Sequence, residues 1–152
     1  MTRWKKGRGL LGPVKPLLGA WIARDDRNGM TMSCTRTFEP FGKGWMRLEA
    51  VWAMGDRGAY REIALIGAGE DGALGVFSFT NDGKRSTGRL ADGADVHPEA
   101  VAFEAQMLAG LARMIYWPSE DDAPGFRFAV ESRTQKGWNR FLLHTYRPRV
   151  AS

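Results

Sequence analysis

Few residues in this chain are suited to chemistry. It has two histidines, His97 and His144, and one cysteine, Cys34. A single thiol excludes an intrachain disulfide and a thiolate zinc cluster, and two imidazoles exclude a multi-histidine metal centre, which leaves carboxylate-bound ions or one axial ligand; no metal site is assigned. His144 stands two residues before Tyr146, which on an extended strand puts both on one face and Phe141 with Leu143 on the other. One parity turns His144 and Tyr146 toward an interior, where they could meet a ligand. If Phe141 and Leu143 face inward, His144 is an outer-surface residue. Acid–base catalysis through His144, with Glu104 or Tyr146 beside it, is the enzymatic alternative. No nucleophilic triad is visible, and no residue is assigned a catalytic role.

Arg36 is the second focus. Met32, Cys34, Arg36 and Phe38 alternate with Ser33, Thr35 and Thr37, which makes Arg36 the candidate for a charge on a buried strand face. A buried guanidinium needs an acceptor, either a protein carboxylate such as Glu104 or a ligand anion. The alternative is a strand-end position from which Arg36 reaches water. Around these charges, Trp52, Phe77, Phe79, Tyr116, Trp117 and Phe128 are candidates to line an apolar cavity, or to fill it. The stretch Gly67-Ala68-Gly69-Glu70-Asp71-Gly72 fits the dinucleotide fingerprint literally. It is followed by the strand-like Leu74 to Phe79 instead of a helix, and its two acids would repel phosphate, so it reads as a hairpin.

The elements that must position these residues are strands. Alternation predicts ten: 17–23, 31–38, 45–52, 60–66, 74–80, 84–90, 101–107, 112–117, 126–132 and 138–146. Turn signals such as Asn28-Gly29, Gly55 to Gly58, Asp82-Gly83 and Lys136-Gly137 separate them. Only the acidic stretches 91–100 and 118–125 are longer. Ten short strands joined in order predict a single all-β, antiparallel, up-and-down β-barrel, because closure removes the exposed edges. A two-sheet sandwich is the alternative.

At 152 residues the chain has the size of one domain with a substantial core. Five of its 22 basic residues, Arg3, Lys5, Lys6, Arg8 and Lys15, fall in the first sixteen positions, which hold no acid. The remainder match the 17 acids one for one, so a basic tail precedes a neutral body. The expected division is a basic, flexible arm at 1–16, a barrel at 17–149 and a tail at 150–152. No apolar run is long enough to span a bilayer as a helix, and prolines interrupt any leader-like segment, so membrane insertion is not expected and a cytoplasmic location is. The aromatics do not alternate with basic residues across one exposed face, which argues against nucleic acid as the partner.

Gly19-Ala20-Trp21 in the first strand, the strand count and the closing Tyr146-Arg147 together resemble the calycin superfamily. The pattern is most similar to lipocalin-like bacterial barrels that open with Leu-x-Gly-x-Trp and end near Tyr-x-Arg. The resemblance implies a barrel floor built on Gly19 and Trp21, with Arg147 or Arg140 stacked over the indole by a cation–π contact. His144-Thr145-Tyr146 is similar to the inward Arg-x-Tyr pair of fatty-acid-binding proteins, with histidine in place of arginine. Nitrobindins hold haem on a histidine several residues before a Thr-Tyr pair. Here that position is Phe141 or Leu143, so haem is not expected and no cofactor is assigned. The resemblance implies a carrier or sensor for a small, mostly apolar or amphipathic molecule, with Arg36, Trp52, Tyr116, Phe128, His144 and Tyr146 as ligand-binding residues. An acid–base enzyme using His144 and an interaction module using the basic arm are the alternatives, and a homodimer is compatible with any of them.

Overall fold

The computed structural model describes residues 4–25, 32–53 and 58–149. The expected turns at Asn28-Gly29 and 55–57, the first three residues and the 150–152 tail lie outside them. Ten strands are present: β1 (Gly19–Asp25), β2 (Met32–Phe41), β3 (Trp45–Ala53), β4 (Ala59–Ala68), β5 (Leu74–Thr80), β6 (Arg85–Ala91), β7 (Val101–Met107), β8 (Gly110–Pro118), β9 (Phe126–Thr134) and β10 (Gly137–Pro148). Each pairs antiparallel with its chain neighbours, and β1 joins β10 through Trp21↔Pro148 and Ile22↔Arg147. That last pairing closes the barrel and excludes a sandwich. The Gly67–Gly72 stretch is the hairpin expected of it, closed by Gly69 N–H to the Ala73 carbonyl and turned at Gly72, whose φ is 82°.

Period-two alternation supplies the core. Cys34 and Phe38 of β2, Met46, Leu48 and Ala50 of β3, Ala64 and Ile66 of β4, and Phe126 and Phe128 of β9 pack together inside. Each large side chain hidden this way contributes about 1.5–3 kcal/mol. Because successive strands reverse direction, the β1–β2, β3–β4, β5–β6, β7–β8 and β9–β10 turns share one end, and the remaining connections share the other.

The second end is plugged by the chain's own start. Gly12–Leu17 is a 3-10 helix, with Pro13 in its first turn where the missing N–H costs nothing. Leu11, Val14 and Leu17 recur every three residues, the period of such a helix, and Val14 and Leu17 are fully buried in the barrel core. Within the stretch expected to be an arm, Gly12 and Val14 are buried. Lys5, Lys6, Arg8 and Lys15 do stay exposed. The first strand accordingly begins at Gly19, not at Leu17. Trp21 sits at this floor, its Nε1 donating to the Leu17 carbonyl at 2.7 Å and its ring meeting Phe126 edge-on at 4.9 Å.

The cation–π contact expected over Trp21 does not form. Arg147 turns instead to the 118–125 connection, where it pairs with Asp121 and donates to Ser119 Oγ and the Ala123 and Pro124 carbonyls. Arg140 lies over Trp117 at 5.2 Å and pairs with Glu131. For Arg147 a carboxylate, a hydroxyl and two carbonyls within reach outcompete the Trp21 face, and Arg140 is held by Glu131 and a different indole.

β10 carries the irregularity that matters most. Asn139 pairs with Ser132 and Arg140 with Glu131, but Leu142 pairs with Val130, so Phe141 is an extra residue looped out of the ladder. It is 63% exposed. Beyond this bulge the alternation changes phase: Leu142, His144 and Tyr146 point inward with Val130, Phe128 and Phe126 opposite them. The alternative that placed Phe141 and Leu143 inside is overturned by that one residue. Leu143 joins a separate outer cluster of Ala102, Ile115, Trp117 and Ala129, roofed by Val96 and Ala100 of the 92–100 loop. A side chain at Gly93 would collide with Ile115 and Ala100, so the loop lies directly on the sheet.

Candidate functional site

Arg36 is 2% exposed and stands at the centre of the barrel. Its Nη1 donates to the Tyr116 hydroxyl at 2.8 Å and its Nε to the Tyr146 hydroxyl at 3.3 Å. The guanidinium lies 3.9 Å from the Phe128 ring centroid, a desolvated cation–π contact. Four strands meet here: β2 brings the cation, β8 and β10 the phenols, and β9 the aromatic platform. A guanidinium has five N–H donors, and the two phenols take two of them. No carboxylate lies within hydrogen-bond distance of Arg36 among the described residues.

The electrostatics follow from that arrangement. Burial alone would push the Arg36 guanidinium down. The pull of Tyr116, Tyr146 and Glu62, with the Tyr146 hydrogen bond, outweighs it, and the net shift is upward. Burial pushes both phenols up against the opposing influence of Arg36, with Cys34 adding to the rise at Tyr146. Near neutral pH the site is therefore a charged arginine held by two neutral hydroxyls. Glu62 supplies the carboxylate in this group, and its Oε2 is engaged by the Ser78 hydroxyl.

Beside this centre lies a cavity of ≈ 270 Å³ lined by Arg36, Trp52, Tyr60, Glu62, Ser78, Met114, Phe128 and Val130. Thr80, Lys84, Arg85 and Met107 also line it, and they come from the end of the barrel opposite the plug. Trp52 meets Tyr60 at 6.1 Å and His144 at 6.0 Å, and His144 in turn meets Tyr146 at 6.2 Å, all edge to face. Apolar walls, one buried cation, one hydrogen-bonded carboxylate and a basic mouth make a site able to hold a small polar-ended molecule away from water.

The six residues expected to bind ligand are thus neighbours in space. Arg36, Trp52 and Phe128 line the cavity directly, Tyr116 and Tyr146 hold Arg36, and His144 backs Trp52. Three other aromatics proposed for the cavity are not in it. Phe77 and Phe79 lie on the outer face of β5, Phe77 against Trp45 and Phe79 54% exposed, and Trp117 belongs to the outer cluster. Glu104 shares the outward phase of β7 with Ala102 and is no partner of Arg36. Glu62, Ser78, Tyr60 and Met114 were missed. Glu62 was detectable, since it alternates in step with Ala64 and Ile66. Ser78 needed the pairing of β4 with β5 to bring it to Glu62.

A scan against protein-family models matches nothing, and neither does a search of curated proteins. Among the described residues, no group of three or more histidine, cysteine or acidic side chains is placed to hold a metal ion. No helix of the described residues is long and apolar enough to cross a membrane.

Proposed function

We propose that this protein is a calycin-like carrier or sensor that holds a compact, largely apolar molecule inside the barrel, with the molecule's anionic end on Arg36. One observation carries the reading: a fully buried arginine whose hydrogen-bond acceptors are two neutral phenols. Burying a cation without a contacting carboxylate is costly, and an anionic ligand would offset that cost at the free edge of the guanidinium. Lys84 and Arg85 at the mouth favour the approach of an anion.

The volume narrows the ligand. At ≈ 270 Å³ the cavity falls just below the usual range of roughly 300–1,000 Å³ for drug-sized ligands. Aromatic acids of one ring and short or branched carboxylates fit better than a long acyl chain. Trp52, Tyr60 and Phe128 offer edge and face contacts to a planar ring.

Isothermal titration with benzoate, phenylacetate and octanoate, each beside its neutral amide, tests the proposal. The acid is expected to bind roughly ten- to a hundred-fold more tightly than its amide, the ratio expected for a hydrogen bond to a charged group. Arg36→Met should remove that difference. Equal binding of acid and amide, or retained discrimination in the variant, would sink the assignment.

A further inference from the structure

At the plugged end, away from the cavity mouth, the folded start of the chain and the β2–β3 turn form a second groove of ≈ 450 Å³. Arg8, Lys15 and Lys43 line it, no acidic side chain does, and all three are exposed. The neighbouring apolar side chains are exposed too, Leu10 at 43%, Leu18 at 38% and Phe41 at 51%. This arrangement depends on the 3-10 helix. Gly7 N–H bonds to the Gly12 carbonyl at 3.1 Å, folding the segment back, and the stem of Lys15 packs where a side chain at Gly7 would be. Three cations thus ring an apolar patch on a chain of net charge +5.

We infer that the β2–β3 side of this end, across the barrel from the acidic 91–100 and 118–125 connections, docks on an anionic lipid surface, with Arg8, Lys15 and Lys43 at the headgroups and Leu10, Leu18 and Phe41 entering the headgroup–acyl boundary. Three cations and no acid in the groove select an anionic partner, and Leu10 and Leu18 select lipid, because they cannot stack on bases and gain by leaving water. Phe41 beside them and Trp45 in the groove suit the same boundary. Amphipathic surfaces combining basic and apolar residues bind bilayers through both contributions. Docked this way, the cavity mouth faces away from the membrane, so the inference stands independently of the ligand proposed for Arg36.

Vesicle flotation of the full chain tests it, using phosphatidylcholine alone and with 30 mol% phosphatidylserine (about one lipid in three, enough to set an anionic surface potential). Binding is expected only to the mixed vesicles and is expected to fall at high salt. Arg8→Glu with Lys43→Glu should weaken partitioning by at least roughly 25-fold, about five-fold per charge lost. Leu10→Ser with Leu18→Ser should weaken it as well, with the thermal midpoint of each variant unchanged. No phosphatidylserine-dependent binding, or binding unaffected by either pair, overturns the inference. Binding of a labelled single-stranded oligonucleotide with the same residue dependence would also overturn it, in favour of a nucleic-acid surface.

Discussion

Arg36 and Arg113 are each 2% exposed, one inside the barrel and one outside it, and their surroundings differ in kind. Arg113 is fully answered. Its Nη1 and Nη2 bond both oxygens of Asp95 at 2.9 and 2.6 Å, its Nε bonds Glu131 at 2.7 Å, and Trp138 covers it at 4.3 Å. Arg140 takes the second oxygen of Glu131 at 2.8 Å. This network ties the 92–100 loop to the outer face of β8, β9 and β10, and nothing in it is left for a ligand. Arg36 has phenols where Arg113 has carboxylates, and a cavity where Arg113 has a loop. Equal burial therefore comes in two settings: a charge met by carboxylates, and a charge met by phenols beside a cavity.

The largest expected effect comes from breaking the outer network. Arg113→Met leaves Glu131 buried with Arg140 as its one remaining cation, and removing one partner of a buried pair costs about 3–5 kcal/mol. Urea unfolding should show that loss, equivalent to a midpoint lowered by roughly 6–20 °C for a domain of this size. Arg36→Met should change stability by less than about 1.5 kcal/mol, because the cost of burying an uncompensated cation disappears along with its hydrogen bonds. If Arg36→Met proves as damaging as Arg113→Met, the two arginines are alike and Arg36 is structural.

Alkaline and acid limits should separate them further. Tyr116 and Tyr146 have raised folded-state pKa values, so the folded protein holds these protons more tightly than the unfolded chain. Their contribution is complete below the ordinary tyrosine value near 10 and is lost as pH rises above it. Stability should therefore fall above about pH 10, and Tyr116→Phe should flatten that fall. Asp95 behaves oppositely. The hydrogen bonds from Arg113 hold its carboxyl below the usual range, so its contribution is present above about pH 4 and lost as pH falls through the lower folded value. Asp95 is more than half exposed, which makes this the smallest effect. It should appear as a small part of the acid slope in unfolding midpoints between about pH 4 and 2, which Asp95→Asn reduces while Asp82 and Asp121, whose carboxyls are also held low, keep the rest. An unchanged slope in that variant would remove Asp95 from the network.

Strand count, barrel closure and the phases of β2 and β3 were legible because β2 and β3 keep strict alternation and turn residues separate the apolar runs. The position of Arg36 could be read directly from Cys34 and Phe38 on either side of it. The plug was not, since Pro13 and Pro16 read as chain breakers, although Leu11, Val14 and Leu17 carry a three-residue period. Arg147 and Arg140 were misplaced because their partners, Asp121 and Glu131, become neighbours only through loop and ladder geometry. The orientation of His144 could not be read at all, because no local signal separates a bulged Phe141 from one in register.

That bulge has a genetic consequence. Arg140 faces outward beside Glu131 before the bulge, and Leu142 faces inward beside Val130 after it, so a three-nucleotide deletion at Phe141 would join the two halves of β10 in strict alternation. Leu142, His144 and Tyr146 would keep their inward positions, and Arg36 would keep the Tyr146 hydroxyl. The codon for Phe141 is thus one that this strand could lose with its inner face unaltered.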